Sequence, residues 1–320
     1  MKILKYTNLE KIDDIFYHKV KSKNQELYDK MWDIQNTQHK TSNTSWGKNR
    51  GLKLHNMFGN ENILLPKDAS CLDACSGLGR FSIALREVGI NSIHSFDGSK
   101  NGLKYMMERI DNRNIMPDIN SKISLDEIKK SNFIPICADI ENILDIFHEK
   151  SFNIIFHHMS LHHTKSWKKT IIDLLSILDV DGYLIFNFFT TNANPPECFD
   201  LRAIFLDKEV DFVHEFLNEC NLLSDNNKKC FNRFKSILLN EKEVSKKFNN
   251  EINKIKDLLS KYTFDQICDQ ITFENMQTPY QHNIDTNEMA HFLKNLSNIT
   301  GNLTIQAHTG AKVILRKLED

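Results

Sequence analysis

Short apolar runs alternate with amphipathic segments through the middle of the chain. Five of these runs have the length and the β-branched or aromatic content of buried strands: 70–74, 92–97, 133–139, 151–158 and 182–189. Three of the segments between them carry apolar residues at helical spacing: 79–89, 99–110 and 166–178. Strands and helices that alternate in this order favour a mostly parallel sheet, covered by helices on both faces and joined by right-handed crossovers.

The pattern therefore predicts an α/β fold with a doubly wound, mostly parallel, seven-stranded sheet of the Rossmann-like kind. Near the end of the chain, residues 286–296 have helical periodicity, with Thr286 as a plausible N-cap. Two further strands follow and are joined at Thr309 and Gly310. We expect these two strands to finish the sheet as an antiparallel hairpin.

The regions before and after these segments do not show the alternation of strands and helices. We therefore predict that the chain is divided into four parts. They are an N-terminal helical segment or lid (1–65), a ligand-binding α/β core (66–191), a helical insertion or cap (192–285), and a final helix and hairpin that complete the core sheet (286–320). Within the insertion, apolar residues recur at spacings of 4, 3, 4 and 3: Phe248, Ile252, Ile255, Leu259 and Tyr262. This stripe predicts an amphipathic helix that contributes ordinary core or cap packing, with a dimer interface as the second choice.

Composition excludes several classes of protein. The 41 Lys and Arg residues nearly balance 42 Asp and Glu residues, which argues against a protein that coats nucleic acid. No apolar run approaches the length that spans a membrane. The seven Cys residues are odd in number and lack paired CxxC spacing, which favours reduced thiols over a disulfide framework. We therefore expect a cytoplasmic protein with no membrane partner, and the charge balance disfavours a nucleic-acid partner. The oligomeric state is left open.

Three consecutive predicted strands end in a carboxylate: Asp73, Asp97 and Asp139. Because the carboxyl ends of parallel strands share the edge where open α/β sheets bind ligands, we expect these carboxylates to line one crevice. An anionic crevice would repel a pyrophosphate and attract a ligand that carries an ammonium and a sulfonium, as S-adenosylmethionine does. Asp97 would accept hydrogen bonds from the ribose, and Asp139 from the adenine amino group. The alternative is that each carboxylate only caps the next helix or turn.

The loop after Asp73 contains Gly77 and Gly79, but it lacks the Gly-Lys-Ser/Thr of a P-loop and only approximates a dinucleotide fingerprint. It forms part of a set of five segments: LDACSGLGRFSIAL, FD, ADI, SFNIIFHHMSLHHT and LLSILDVDGYLIF. Together these segments resemble the class I S-adenosylmethionine-dependent methyltransferases, in particular the type 11/12 group, over residues 70–190. A fainter similarity returns at 269–289, in a Pro-Tyr-x-His stretch.

The resemblance has three departures, because Cys75 stands where a glycine is usual, Asn153 where an aspartate is usual, and Met159 where a glycine is usual. It implies S-adenosylmethionine as the cofactor. It also implies this set of cofactor-binding residues: Asp73, Ala74, Cys75, Ser76, Gly77, Gly79, Arg80, Phe81, Asp97, Gly98, Ser99, Asp139, Ile140, His157 and His158.

Methyl transfer needs a general base only when the acceptor atom must lose a proton. The candidates for that base are His158, His162 and His282, and Tyr280 is a candidate for contact with the acceptor. Structural roles for Tyr280 and His282 are the alternative. The histidines around position 160 also raise the hypothesis of a metal site, but no third ligand of typical spacing accompanies them, so we expect no metal.

An Asn-Pro-Pro motif lies at 192–197, after the fifth strand, whereas the amino-group methyltransferases carry it after the fourth. We therefore interpret it as a loop stiffened by two prolines. The acceptor that we expect is a small molecule, methylated on an oxygen or nitrogen atom. Methylation of RNA or protein, a non-catalytic S-adenosylmethionine-binding subunit and a nicotinamide-dependent oxidoreductase are the alternatives, and Asp73 argues against the last of these.

Overall fold

The structure is a computed structural model that describes these ranges: 3–20, 24–39, 50–66, 68–111, 132–190, 195–222, 227–240, 242–306 and 310–318. Contacts between Cα atoms divide the chain into two units. The first unit comprises Met1–Thr190 and Ile284–Asp320, and the second comprises Thr191–Asn283.

Within the described ranges, the first unit holds one sheet of nine strands: β1 (Leu9–Ile12), β2 (Ile15–His18), β3 (Ser70–Ala74), β4 (Ser92–Asp97), β5 (Asn132–Cys137), β6 (Phe152–His158), β7 (Leu178–Phe189), β8 (Ile299–Gln306) and β9 (Gly310–Lys317). Their order across the sheet is β1-β2-β5-β4-β3-β6-β7-β9-β8. Strands β2 to β7 are parallel to their neighbours in this group. Antiparallel pairs join β1 to β2 and β9 to both β7 and β8, which confirms the predicted fold class.

The strand order reverses at β3. From β3 the chain proceeds outward through β4 to β5, and it then returns to β6 on the other side of β3. A crevice at the carboxyl edge beside such a reversal is where open α/β sheets bind ligands. The sheet topology therefore places the loops that follow β3, β4 and β6 around the expected site.

The helices flank the sheet or build the second unit: α1 (Gln25–His39), α2 (Arg50–Asn60), α3 (Arg80–Glu87), α4 (Lys100–Asp111), α5 (Ile143–Ile146), α6 (Trp167–Ile177), α7 (Pro196–Phe205), α8 (Val210–Glu219), α9 (Asn227–Leu238), α10 (Asn249–Leu258), α11 (Phe264–Gln270), α12 (Phe273–Gln277) and α13 (Thr286–Lys294). No helix in these described stretches is both long and apolar enough to cross a membrane.

The N-terminal segment differs from the purely helical prediction, because β1 and β2 form a hairpin that extends the sheet from seven strands to nine. The turn between them consists of Asp13 and Asp14, whose φ angles are 48° and 66°. Positive φ at both central residues is the geometry of a type I′ turn, which matches the twist of a two-residue hairpin. Phe16 and Tyr17 of β2 then pair with β5, so strands of four residues gain stability from a distant part of the chain.

Two apolar clusters cover the central strands. One contains Leu72, Phe96 and Ile155, and the other contains Cys71 and Ile154. Residues 71 and 72, like residues 154 and 155, are consecutive and face opposite sides of the sheet, because side chains alternate along a strand. The apolar runs that predicted the strands therefore contribute side chains to both clusters.

The final helix and hairpin differ in detail from the prediction. The N-cap of α13 is Asp285 rather than Thr286, since the Asp285 carboxylate accepts the backbone N–H groups of Asn287 and Glu288 at 2.8 and 2.9 Å. The hairpin of β8 and β9 is antiparallel, as expected. Thr309, predicted to lie in its turn, is outside the described residues.

The second unit has a core of aromatic rings. The ring of Phe216 lies 4.9 Å from that of Phe205 and 5.6 Å from that of Phe248, measured between centroids. The predicted stripe is buried at Phe248, Ile252 and Ile255, but Leu259 is 37% exposed because α10 ends at Leu258. The stripe therefore contributes core packing as far as the end of the helix.

The predicted proline loop lies partly outside the described residues, which resume at position 195. Pro195 is the N-cap of α7, and Pro196 is the first residue of that helix. Proline is favoured in the first turn of a helix because its missing N–H would have had no partner there. The two prolines thus mark where the helix begins.

Candidate active site

The loop after β3 turns sharply into α3. Cys75, Gly77 and Gly79 all have left-handed backbone, with φ angles of 61°, 53° and 76°. Glycine adopts this region without strain, whereas a cysteine does so at some cost. The hydroxyl of Ser76 is buried and has no hydrogen-bond partner among the described residues. A strained turn with an unpartnered buried hydroxyl is typical of a ligand-binding loop.

Asp97, at the end of β4, connects the loops of the site. Its Oδ2 accepts the backbone N–H of Gly77 at 2.8 Å, and its Oδ1 accepts that of Ser99 at 2.8 Å. The nearby side chain of Trp32 also lowers the pKa of this carboxylate. Burial raises the pKa of Asp97 to about 6, against the effect of these hydrogen bonds, which lower it.

Asp73 faces α3. The carboxylate accepts the hydroxyl of Ser82 at 2.6 Å, and that hydroxyl is 2.8 Å from the hydroxyl of Ser95. Burial raises the pKa of Asp73 to about 7, so its negative charge is only partly present at neutral pH. Through its bond to Ser82, the Asp73 carboxylate holds the first turn of α3 against the sheet. Direct contact of Asp73 with a cationic ligand stays a prediction.

Asp139 follows β5 and caps the short 3-10 turn Ile140–Asn142. Its Oδ1 accepts the backbone N–H of Glu141 at 3.1 Å. The backbone N–H of Ala138 donates to the carbonyl of Asp97 at 2.9 Å, which ties the loops after β4 and β5 together. The side chain of Ile140 packs partly against the apolar core.

The charges of the three carboxylates act on one thiol, that of Cys75. Burial raises the pKa of Cys75 above its ordinary range, and the charges of Asp97, Asp139 and Asp73 add to that rise, while a hydrogen bond with Ser160 opposes it. Charges act on a group in this way only at short range. The charges of all three strand-end carboxylates thus act on the Cys75 thiol, and their sharing of one ligand crevice stays a prediction.

His157 lies beside this thiol. Its Nε2 is 3.7 Å from the Sγ of Cys75 and 3.3 Å from the Oγ of Ser160. Burial, followed by the charge of neighbouring His158, lowers the pKa of His157 to about 4. His157 is therefore a neutral hydrogen-bonding residue at neutral pH, and it is too weak a base to retain an acceptor proton.

Two of the candidate bases, His158 and His162, lie in surroundings that differ from those of His157. His158 points to the opposite face of β6, since neighbouring residues on a strand alternate, and its ring lies 4.3 Å from that of Phe81. His162 is fully buried, with its ring centroid 4.6 Å from that of Phe189. The predicted pair of catalytic histidines in this loop is therefore split between a half-buried and a fully buried position.

The remaining predicted cofactor residues occupy the same loops. Ala74 is fully buried in the core, and Phe81 packs on the ring of Phe156 at 4.6 Å. Arg80, the first residue of α3, is half-buried. Gly98 is packed closely, because a Cβ atom there would lie 3.0 Å from the ring of Tyr28. Among the residues that the structure describes, no group of three or more His, Cys, Asp or Glu side chains could hold a metal ion.

Tyr280 and His282 belong to the second unit. Tyr280 is exposed and His282 is half-buried there. Their proposed contact with the acceptor stays a prediction.

Residues 48–224, more than half of the chain, match a family of methyltransferase domains. The chain belongs to the methyltransferase-domain family. A comparison with curated proteins finds no match. The assignment confirms the resemblance drawn from the motifs and the cofactor, S-adenosylmethionine, that it implies.

Solved structures of S-adenosylmethionine-dependent methyltransferases are similar in fold to this methyltransferase. One from Methanococcus maripaludis is 14% identical, with 94% of this chain and 98% of the other covered and a TM-score of 0.48. Another, from Methanosarcina mazei, is 14% identical, covers 82% and 97% of the two chains, and has a TM-score of 0.42. A third, from Mesorhizobium loti, is 12% identical, covers 81% and 97%, and also has a TM-score of 0.42.

Helix α1 of the methyltransferase contributes residues that the sequence analysis did not assign. Trp32 lies against the loop after β3, since a Cβ atom on Gly77 would come within 2.3 Å of its ring, and one on Gly102 within 2.9 Å. Glycine at these two positions therefore makes room for an indole. Tyr28 and Trp32 are four residues apart and therefore lie on the same face of α1. That spacing is the signal in the sequence that could have found them.

Proposed function

We propose that this methyltransferase transfers a methyl group from S-adenosylmethionine to an oxygen or nitrogen atom of a small-molecule acceptor. The observation that carries the proposal is the buried carboxylate of Asp97, which ends β4 and is joined to Gly77 in the left-handed loop after β3. A carboxylate at this point of a doubly wound sheet suits the hydroxyls of a ribose.

The residues of the site fit the cofactor. Asp97 would accept the ribose hydroxyls, and Asp139 with Ile140 would line the adenine. The Ser76 hydroxyl, which has no hydrogen-bond partner among the residues that the structure describes, would donate to or accept from the polar end of the methionine moiety. The carboxylates around Cys75 favour a cationic ligand over a phosphorylated one, although the raised pKa of Asp73 weakens its share of this effect.

When bound, S-adenosylmethionine would supply a methyl group on a sulfonium. The acceptor lone pair would bond to the methyl carbon in line as the carbon–sulfur bond breaks, and S-adenosylhomocysteine would leave. The chain must hold the acceptor about 3 Å from that carbon and exclude water. Among the histidines that end or follow β6, His158 is the best candidate for a base. His157 has a pKa too low for this role, and His162 is fully buried. Tyr280 and His282 are kept as candidates for contact with the acceptor.

A small-molecule acceptor is favoured by the near balance of 41 basic and 42 acidic residues, because enzymes that act on nucleic acids usually carry a basic surface. A transfer assay with a methyl-labelled cofactor and separate pools of small metabolites, RNA and protein tests this. We expect the label in the small-molecule pool. Label in RNA or protein would overturn the choice of acceptor, and binding without transfer to any pool would indicate a non-catalytic subunit.

The cofactor assignment is tested by calorimetry with S-adenosylhomocysteine. Asp97→Asn should weaken binding by about 10- to 150-fold, as for the loss of hydrogen bonds to a charged group worth roughly 1.5–3 kcal/mol. The matched control is Asp173→Asn, because Asp173 is a buried acid on α6 that pairs with Lys169. Equal affinity of the Asp97 variant and the wild type would contradict the ribose assignment, provided that both unfold at similar temperatures.

A further inference from the structure

Arg202, on α7, is a buried cation of the second unit. It is 7% exposed, whereas arginine is rarely buried to this extent unless it is paired. Its Nη1 donates to the Oγ1 of Thr278 at 3.3 Å, and its side chain forms no other hydrogen bond or ion pair with the residues that the structure describes. A guanidinium has five N–H donors, so most of its hydrogen-bonding capacity is unused.

The buried acids of the second unit have partners other than Arg202. Within the described part of that unit these acids are Glu197 and Glu251. The carboxylate of Glu197 accepts the side-chain amide of Gln266 at 3.4 Å. The carboxylate of Glu251 forms an ion pair with Lys208 at 3.0 Å. Neither carboxylate therefore neutralises the guanidinium.

The thiol of Cys198, one helical turn before Arg202 on α7, does not neutralise it either. Burial raises the pKa of Cys198 to about 11, although the charge of Arg202 lowers it, and the charge of Glu197 adds to the rise. The thiol is therefore uncharged at neutral pH. An arginine keeps its proton even when burial lowers its pKa, as it does here. The second unit thus contains a buried positive charge that no described residue balances.

The surroundings of this guanidinium are rigid. The side-chain amide of Gln277 donates to the backbone carbonyl of Phe205 at 2.7 Å, which joins the end of α12 to the end of α7. Thr278 follows directly and is 1% exposed. Because Thr278 contacts only Nη1 of Arg202, the Nε and Nη2 groups remain for a ligand. Two N–H groups on one edge of a guanidinium match the two oxygens of a planar anion.

We propose that Arg202, positioned by Thr278, is a binding site in the second unit for the carboxylate of a small-molecule ligand. One unbalanced positive charge suits a ligand group with one negative charge. A phosphate carries nearly two, and Glu197 already adds a negative charge within reach of the neighbouring thiol. The inference goes beyond the proposed function, because it concerns the second unit alone and needs no cofactor.

The first test is thermal unfolding in sodium acetate, sodium phosphate and sodium chloride at equal pH and ionic strength. In the wild type we expect acetate to raise the melting temperature by about 2 °C relative to chloride, the scale expected when one weak site is partly saturated. Phosphate should give a smaller rise. A rise in phosphate that equals or exceeds the rise in acetate would overturn the choice of a carboxylate.

Arg202→Met separates a binding role from a structural one. It removes an unpaired buried charge, so its melting temperature in chloride should equal or exceed that of the wild type, and the response to acetate should disappear. The matched control is Arg233→Met, because Arg233 is a half-buried arginine of the same unit whose Nε donates to the carbonyl of Glu219. This control should keep the full response to acetate, which also accounts for general effects of the salt.

A lower melting temperature of Arg202→Met in chloride, with the response to acetate retained, would overturn the site and give Arg202 a structural role. Arg202→Lys keeps the charge but has no planar pair of donors, so it should lose most of the response. A full response in Arg202→Lys would overturn the two-point contact with the carboxylate.

A second measurement observes the wild type directly and does not depend on how the variants fold. The Nε–H resonance of Arg202 in NMR spectra, assigned by its absence from Arg202→Lys, should shift on titration with acetate and stay in place with chloride. No shift with acetate would overturn the inference. None of these measurements uses S-adenosylmethionine, so their failure would leave the proposed function as it stands.

Discussion

Ser82 donates its hydroxyl to the buried carboxylate of Asp73 over 2.6 Å, and this bond ties the first turn of α3 to the end of β3. The backbone of Ser82 also lowers the pKa of Asp73, against the larger effect of burial. The residue that we expected to attract a cationic ligand is thus also a structural anchor of the cofactor loop. The bond between Ser82 and Asp73 leads to a prediction about stability, and the raised pKa of Asp73 leads to a prediction about its pH dependence.

At pH 8, where the Asp73 carboxylate is ionised, Ser82→Ala should lower the free energy of unfolding by roughly 1.5–3 kcal/mol, because it removes a hydrogen bond to a buried charged group. Urea denaturation followed by circular dichroism measures this. Ser176→Ala is the control, since its hydroxyl bonds an exposed helix carbonyl and the change should stay within about 0.5 kcal/mol. A loss as small as that of the control would contradict the anchoring role of Ser82.

The raised pKa of Asp73, about 7, makes the stability of the protein depend on pH. An unfolded aspartate ionises near pH 4, at about its model value. Between about pH 4 and pH 7 the unfolded chain has lost this proton while the folded protein keeps it. The contribution of Asp73 to the free energy of unfolding therefore falls as the pH rises through this window and is constant above it.

Asp73→Asn removes this titration. Relative to the wild type, the variant should gain about 2–3 kcal/mol between pH 5 and pH 8. Taking the difference between the two proteins cancels the opposite contribution of buried His94 and His157, whose lowered pKa values favour folding as the pH rises from about 4 to the ordinary histidine range. The exposed Asp68→Asn serves as control. A pH-independent difference would refute the raised pKa.

His158→Asn should reduce turnover about 100-fold or more and leave the affinity for S-adenosylhomocysteine unchanged, if His158 accepts the proton of the methyl acceptor. Labelled methyl transfer and calorimetry measure the two quantities. His148→Asn is the control, because His148 is an exposed histidine that follows α5. Normal turnover in the His158 variant would remove this residue from the mechanism.

Asp14→Gly should stabilise the β1–β2 hairpin by about 0.5–1 kcal/mol. The native φ of 66° at Asp14 suits glycine better, and an Asp-Gly pair is favoured in a type I′ turn. The exposed ion pair of Asp14 with Lys11 is lost, but such pairs contribute little. Thermal unfolding measures the gain. Destabilisation by more than the ion pair is worth would contradict the turn geometry.

Periodicity within the sequence was enough for the central part of the fold. Strands β3 to β7 and helices α3, α4 and α6 follow the predicted segments closely, because each segment had to bury its apolar side chains against the same sheet. The hairpin of β1 and β2 was missed because its four-residue strands are too short to show a period. Their stability comes from pairing with β5, more than a hundred residues later in the chain.

The sequence by itself determined that three carboxylates end neighbouring strands at one edge, since strand order and chain direction fix which ends meet. Only the tertiary structure decided what each carboxylate does. Asp73 turns to Ser82, whereas Asp97 receives hydrogen bonds from the backbone of Gly77 and Ser99. The local pattern places a side chain on a face of its strand, but its partner is set by packing of distant helices. That packing is a property of the folded chain as a whole.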